Sequence, residues 1–163
     1  MMLRQATLDD VLQISDMAQR IWRFHYVDII GLEQVEYMLG LIYRPAALQR
    51  QILEEEQVFW LIEDGEKTLG YVAISQRDKG SYFLNKFYLD NGQRGRGLGT
   101  AAFDLVLSQY PDLQELRLTV NRQNIRSINF YFRLGFTIEQ VVNLPIGEGF
   151  VMEDFQMLWY KKK

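Results

Sequence analysis

The chain reads as a mixed α/β (α+β) protein, a mostly antiparallel sheet flanked by helices, and three observations predict this. Helical periodicity over residues 8–22 gives way, from Gln57, to short strand-like runs separated by turn residues. Strand-like FLNKFYLD (83–90) then leads through glycine-rich QRGRGLGT (93–100) into helical AAFDLVLSQY (101–110). Finally, strand-like LRLTV (116–120) precedes a helical stretch at 124–134 and two further strands.

Residues 2–6 read as a short first strand. Thr7-Leu8-Asp9-Asp10 has the form of a capping box, a hydroxyl followed three residues later by an acid. Leu8, Val11, Leu12, Ile14, Ser15, Ala18, Ile21 and Trp22 recur at helical spacing and are expected to line one buried face. Residues 23–43 are rich in aromatic rings, with Phe24, His25, Tyr26, Tyr37 and Tyr43. Gly31 breaks this stretch, and LEQVEYMLGLIY (32–43) reads as a second helix. Pro45 suits the first position of a third, AALQRQILEEE (46–56).

Beyond Gln57, VFWLIE, a turn at Asp64-Gly65, TLGYVAIS, a turn at 77–80 and SYFLNKFYLD form a meander. Helix 101–110 closes at Pro111. The helix at 124–134 stops at Gly135, a residue suited to a C-terminal cap. Residues 136–143 and 155–160 read as two strands joined by a loop, LPIGEGFVMED (144–154).

Composition bounds the function. At 163 residues the chain has the length of a single domain over 1–163, with 48% hydrophobic and 24% charged residues, an ordinary globular balance. A formal net charge of −3 argues against a nucleic-acid binder, which usually carries a basic face. The absence of cysteine removes disulfides, a thiol nucleophile and Cys-based metal sites, and no metal centre is expected. No apolar run approaches the roughly 18 residues of a membrane span, and the start has no apolar signal core, so a cytoplasmic setting is expected.

The turn at 93–100 carries the clearest chemistry. Glycines at 95, 97 and 99 let the backbone approach a ligand, and their amides precede a helix whose N-terminus favours an anion. Arg94 and Arg96 add positive charge suited to phosphate oxygens, so the turn suits a pyrophosphate, although glycine-rich turns also serve as plain connections. A P-loop would need a Lys after its glycines, and none is there. A dinucleotide fingerprint would place its third glycine one residue later and an acid at the end of the next strand, where Asn121 and Arg122 stand.

Arg94-Gly95-Arg96-Gly97-Leu98-Gly99 resembles the acyl-CoA turn of the GNAT acetyltransferase superfamily, Arg/Gln-x-x-Gly-x-Gly/Ala. VNRQNIRSINFYFRLGF (120–136) resembles a later segment of that superfamily, a strand followed by N-x-x-A/S-x-x-F-Y-x-x-x-G-F. The two motifs come in the right order and separation. The resemblance covers 57–136 well and the flanks more loosely, and it implies a GNAT-type sheet splayed open near its middle to admit acetyl-CoA.

It also implies roles. Residues Arg94, Gly95, Arg96, Gly97, Leu98, Gly99 and Thr100 would hold the pyrophosphate. Backbone groups of Phe87, Tyr88 and Leu89 would receive the pantetheine arm as an added strand, with the Leu89 amide polarising the thioester carbonyl. Asn124, Ser127 and Tyr131 share one helix face and would follow the arm towards its sulfur. Tyr131 is the candidate general acid, since a phenol near pKa 10 can protonate a departing thiolate whose thiol titrates near 8.5. The same residues also serve as a helix cap and a core aromatic.

The general base is open. Relatives place a Glu on the fourth strand, but the corresponding positions here hold Phe83, Asn85 and Lys86. His25, Asp28, Glu33, Glu148, Glu153 and Asp154 remain, beside a reaction with no dedicated base. Glu148, Glu153 and Asp154 could form an acidic mouth for a cationic amine, or simply a solvated loop. IWRFHYVDIIGLEQVEYML (21–39) is similar to the acceptor-roofing region of a bacterial branch that includes spermidine/spermine-type polyamine acetylases. That similarity implies acceptor contacts from Trp22, His25, Tyr26 and Tyr37, which also read as packing.

The expected function is transfer of acetyl from acetyl-CoA to a primary amine of a small molecule, a polyamine among them. Without a cysteine nucleophile, transfer would be direct, through a ternary complex. A protein N-terminus or lysine as acceptor, and a non-catalytic acyl-CoA sensor, are the alternatives. Homodimers are common among such proteins, but no interface can be read from the sequence.

Overall fold

The structure, a computed structural model, describes residues 1–54, 57–93 and 95–163. In chain order it contains β1 (Met2–Gln5), a 3-10 turn (Leu8–Asp10), α1 (Val11–His25), α2 (Val27–Ile30), α3 (Leu32–Met38), a π-helical turn (Leu39–Tyr43) and α4 (Pro45–Leu53). There follow β2 (Val58–Asp64), β3 (Lys67–Asp78), β4 (Ser81–Leu89), α5 (Leu98–Gln109), β5 (Glu115–Asn121), α6 (Ile125–Leu134), β6 (Thr137–Gly147) and β7 (Phe150–Tyr160). The strand order is β1-β2-β3-β4-β5-β7-β6. The β4–β5 pair is parallel, whereas β1–β2, β2–β3, β5–β7 and β6–β7 are antiparallel, giving the mixed, mostly antiparallel sheet expected from the sequence. The chain divides into two compact units, residues 1–75 with 85–111 and residues 76–84 with 112–163.

In the first unit the capping box forms. The Thr7 hydroxyl accepts from the Asp9 amide at 3.2 Å, and the Asp10 carboxylate accepts from the Thr7 amide at 2.8 Å. Arg4 clamps Asp10 and Glu63, each at 2.9 Å, and its hydrogen bonds hold the Asp10 carboxyl below the usual range. Because the α-helix proper starts at Val11, its buried face is set by Val11, Ile14, Met17, Ala18 and Ile21. Leu8 lies in the 3-10 turn and Leu12 falls off the buried face; they are 44% and 67% exposed, so the expectation that both line the core is corrected.

The stretch 32–43, expected as one helix, changes to a π-helical turn after Met38. Gly40, a poor helix former, lies in this wider turn, which buries Leu39 and Tyr43. Pro45 takes the first turn of α4 as expected; the end of the helix expected at 55–56 lies outside the described residues.

In the second unit the parallel ladder runs from Ser81↔Glu115 to Phe83↔Arg117, and β5 pairs with β7 along its whole length. Asn124 caps α6, its side-chain oxygen accepting from the Ser127 amide at 3.3 Å, and Gly135 ends the helix at φ +103°. The expected loop at 144–154 is not a loop. Strands β6 and β7 run as one long hairpin that turns at Glu148 and Gly149, at φ +53° and +79°. Glu153 and Asp154 therefore stand on β7.

Candidate active site

Helix α5 begins at Leu98, three residues earlier than its apolar pattern indicates, so half of the glycine-rich turn forms its N-terminus. Gly97 is the N-cap at φ +70°, and Gly95 lies at φ +82°, backbone conformations that strain an L side chain. Gly97 has no side chain to cap the helix, and the first helical bond is Ala101 N–H to the Gly97 carbonyl at 3.2 Å. Among the described residues nothing accepts from the amides of Leu98, Gly99 and Thr100. Three donors at the positive end of a twelve-residue helix are electrostatically suited to an anion. The space in front is open, because a Cβ built on Gly95 or Gly97 meets nothing within 4 Å. The Arg96 guanidinium donates to the Gln93 side chain at 2.7 Å, while Arg94 lies outside the described residues.

The end of β4, with Phe87, Tyr88 and Leu89 half-buried, is held from two sides. Gly70 of β3 passes so close that a Cβ there would fall on the Tyr88 carbonyl oxygen and come within 3.0 Å of Leu89 Cα. The Asp90 amide donates to the Leu69 carbonyl at 2.7 Å, and Arg20 of α1 donates to the Asp90 carboxylate at 2.8 Å.

Tyr88 belongs to a chain of five rings. Trp22 lies 4.5 Å from Tyr26, 5.7 Å from Tyr43 and 6.0 Å from Tyr88, centroid to centroid. Tyr71 lies 5.9 Å from Tyr43 and 5.4 Å from Tyr88. Burial pushes the Tyr43 and Tyr71 hydroxyls well above their ordinary range, so both remain neutral. The sequence pointed to Trp22 and Tyr26 but not to Tyr71, Tyr43 or the Tyr88 ring as members of one group. His25 and Tyr37 are half-buried on α1 and α3, the imidazole edge-on to Phe24 at 5.0 Å.

The β4 positions where an acid is missing are engaged elsewhere. The Arg77 guanidinium lies over Phe83 at 4.8 Å, and the Asn85 amide donates to Ser75 at 2.9 Å. Lys86 is buried, donates to Gln57 at 2.7 Å and lies 5.1 Å from the Phe59 ring centre.

In the second unit Asn124, Ser127 and Tyr131 lie in the order expected. Asn124 caps α6, Ser127 is half-buried, and Tyr131 is 9% exposed, with Phe130 and Phe136 rings each at 5.4 Å. The acidic residues separate sharply. Glu148 and Glu153 are exposed, whereas Asp154 is buried. Burial pushes the Asp154 carboxyl up to about 6, opposed by a hydrogen bond from Thr119 and the charge of Arg122. Among the described residues no group of three or more metal-ligating side chains occurs, and no helix is long and apolar enough to cross a membrane.

Known proteins resemble this arrangement. The family described as "Acetyltransferase (GNAT) family" matches residues 16–136. The peptidyl-lysine N-acetyltransferase YjaB of Escherichia coli (strain K12) is 26% identical over 91 residues, so the match spans 56% of this chain and 56% of that relative. A spermidine N(1)-acetyltransferase of Thermoplasma acidophilum is 22% identical over 158 residues, 93% of this chain and 94% of that one. Among solved structures, a PaiA N-acetyltransferase from Thermoplasma acidophilum in complex with coenzyme A has a TM-score of 0.77 at 20% identity, covering 98% of both chains. A GCN5-related N-acetyltransferase from Rhodopseudomonas palustris has a TM-score of 0.79 at 15% identity, covering 98% of this chain and 94% of that one. At these identities the structural likeness is one of fold.

Proposed function

This chain belongs to the GNAT acetyltransferase family, acyltransferases whose donor is acetyl-CoA, and we propose that it acetylates the primary amine of a small molecule, with polyamines the leading class. The observation that carries this reading is the row of amides at Leu98, Gly99 and Thr100, for which no described residue provides an acceptor, behind two left-handed glycines.

Those amides fit a pyrophosphate, with Gly95 and Gly97 keeping the approach clear and Arg96 turning from Gln93 to add charge. Arg94 completes the motif. The backbone of Phe87, Tyr88 and Leu89 receives the pantetheine arm, and the Leu89 amide faces the charge that develops on the acetyl oxygen. When bound, acetyl-CoA supplies an activated acetyl thioester, whose C–S bond breaks as the C–N bond forms. On α6, Ser127 and Asn124 accompany the arm and the Tyr131 hydroxyl gives its proton to the sulfur.

The acceptor side draws on Trp22, His25, Tyr26 and Tyr37, with Glu153 adding negative charge. Aromatic faces attract a cationic amine, and the spermidine N(1)-acetyltransferase match over 93% of the chain favours the polyamine class. The match to a peptidyl-lysine N-acetyltransferase supports a second reading, with a protein lysine as acceptor.

Thiol release from acetyl-CoA, followed across polyamines, amino acids, aminoglycosides and lysine peptides, tests this. Release with polyamines or other small amines supports the first reading, and release with lysine peptides alone supports the second. Saturable acetyl-CoA binding without release for any acceptor would instead make the chain an acyl-CoA sensor.

A further inference from the structure

We propose that the ring group around Tyr71 is a specificity subsite for the acceptor, receiving one neutral heteroatom that carries both a hydrogen and a lone pair and is set back from the reacting amine. The inference rests on the acetyl-transfer reading above and narrows the class of amine.

Two polar atoms in this group lack a partner. The Trp22 indole N–H and the Tyr71 hydroxyl meet no hydrogen-bond partner among the described residues, although the two residues are only 5% and 0% exposed. A buried polar group left unpaired is costly, and each one in a native fold calls for an explanation. Both atoms belong to one ring cluster. Tyr88 lies 5.4 Å from Tyr71 and 6.0 Å from Trp22, and Tyr43 lies 5.9 Å and 5.7 Å from the same two rings. Their polar ends converge: after burial, the Tyr71 hydroxyl feels Tyr88, Tyr43 and Trp22, and the Tyr43 hydroxyl feels Tyr71 and Trp22. Yet the indole N–H reaches neither hydroxyl at hydrogen-bonding geometry.

Position suits an acceptor. The fifth ring, Tyr26, lies 4.5 Å from Trp22 and 6.5 Å from Tyr88. All five stand in the first compact unit, as does the β4 backbone assigned to the acetyl donor, and Tyr88 belongs to both. Tyr26 and Tyr88 are half-buried, so the group meets solvent on their side. On the other side Gln51 of α4 donates to the Ile42 carbonyl at 2.7 Å and pins the π-helical turn that carries Tyr43. Such turns recur at functional sites.

The chemistry of the missing partner follows from the two atoms. An indole N–H only donates, so the partner needs a lone pair; the Tyr71 phenol, kept protonated by burial, can give a hydrogen or take one. An ammonium has no lone pair, and the Lys86 ammonium, 6.0 Å from the Tyr43 ring centre, opposes a second cation. A carboxylate would be buried among five uncharged rings, a costly place for a charge. A hydroxyl, or the inner nitrogen of a polyamine in its neutral form, satisfies both atoms. Its lone pair accepts from Trp22 and its hydrogen is donated to Tyr71.

The test follows thiol release with linear amino alcohols and mono-N-alkyl diamines, each beside the plain primary alkylamine of equal chain length. At one chain length the heteroatom should raise kcat/KM by at least about 10-fold, because a site built to hydrogen-bond rejects the analogue that lacks the group. A preferred amino alcohol identifies a hydroxyl, and a preferred diamine an inner nitrogen. Tyr71→Phe, which removes one oxygen and keeps the ring, should bring that ratio to within about twofold of unity. Independently of turnover, and whether or not the variant folds, the Trp22 indole N–H resonance of nitrogen-labelled wild type should shift saturably with the preferred amine. Equal kcat/KM across all matched pairs, a ratio that survives Tyr71→Phe, an unmoved indole resonance, or a preference for amino acids over amino alcohols would overturn the subsite while leaving acetyl transfer standing. A wild type that releases no thiol with any amine would overturn both.

Discussion

Gly70 and Tyr88 approach each other so closely that no side chain fits between them: a Cβ on Gly70 would fall on the Tyr88 carbonyl oxygen. The next backbone atoms along β4 are those of Leu89, whose amide is assigned to the thioester carbonyl. Gly70→Ala should therefore shift the segment 87–89 and lower kcat by about 10- to 100-fold, since small misplacements of reacting groups are costly. It should also destabilise the fold by about 1–3 kcal/mol through overpacking. Steady-state kinetics with urea unfolding separates the two effects; unchanged kcat would mean that the β4 backbone takes no part.

The anion cradle makes its own prediction. Gly97 at φ +70° has room for a Cβ but the wrong backbone conformation for one, so Gly97→Ala should cost about 1–2 kcal/mol in the local turn. Calorimetric titration with coenzyme A should show weaker binding, as the amides of Leu98–Thr100 lose their alignment. Full affinity in the variant would place the pyrophosphate elsewhere.

Tyr131→Phe keeps the ring that packs against Phe130 and Phe136 and removes only the hydroxyl. Turnover should fall by about 100- to 10,000-fold, the range for loss of a positioned acid, while coenzyme A affinity changes little. Turnover equal to wild type across pH would remove Tyr131 from the mechanism.

Asp154 links pH to stability with a definite sign. Its folded pKa of about 6 lies above the ordinary 3.8, so the native state holds the proton more tightly than the unfolded chain does. The resulting stabilisation is complete below about pH 4 and lost as pH rises through about 6. Asp154→Asn removes this loss, and relative to wild type it should gain up to about 3 kcal/mol between pH 4 and pH 8. Urea midpoints of both proteins at the two pH values measure the gain; a variant that loses ground at pH 8 would show the carboxylate to be stabilised by something other than Thr119 and Arg122.

Much of this was legible in the sequence where local chemistry decides the backbone. The Thr7–Asp10 capping box, Asn124 and Gly135 at the ends of α6, and the left-handed glycines at 95 and 97 all act through near neighbours. Helix α5 starts three residues before its apolar pattern does because Leu98-Gly99-Thr100 carries a glycine that reads as loop but weakens the first turn of a helix little. Pro145, Gly147 and Gly149 give the hairpin the local pattern of a loop. Yet β6 is the edge strand, where a proline's missing N–H is tolerated, and the register shifts between Pro145 and Gly147. The ring chain from Trp22 to Tyr71, and the burial of Asp154, follow from tertiary packing and strand register, which no local pattern encodes.

The most direct test of the account is a titration of nitrogen-labelled protein with coenzyme A, followed at the backbone amides. The amides of Leu98, Gly99 and Thr100 should shift together and saturably, with those of residues 87–89 following as the pantetheine arm docks. Saturable binding that leaves 95–100 unmoved would contradict the anion cradle, and with it the assignment of the donor site.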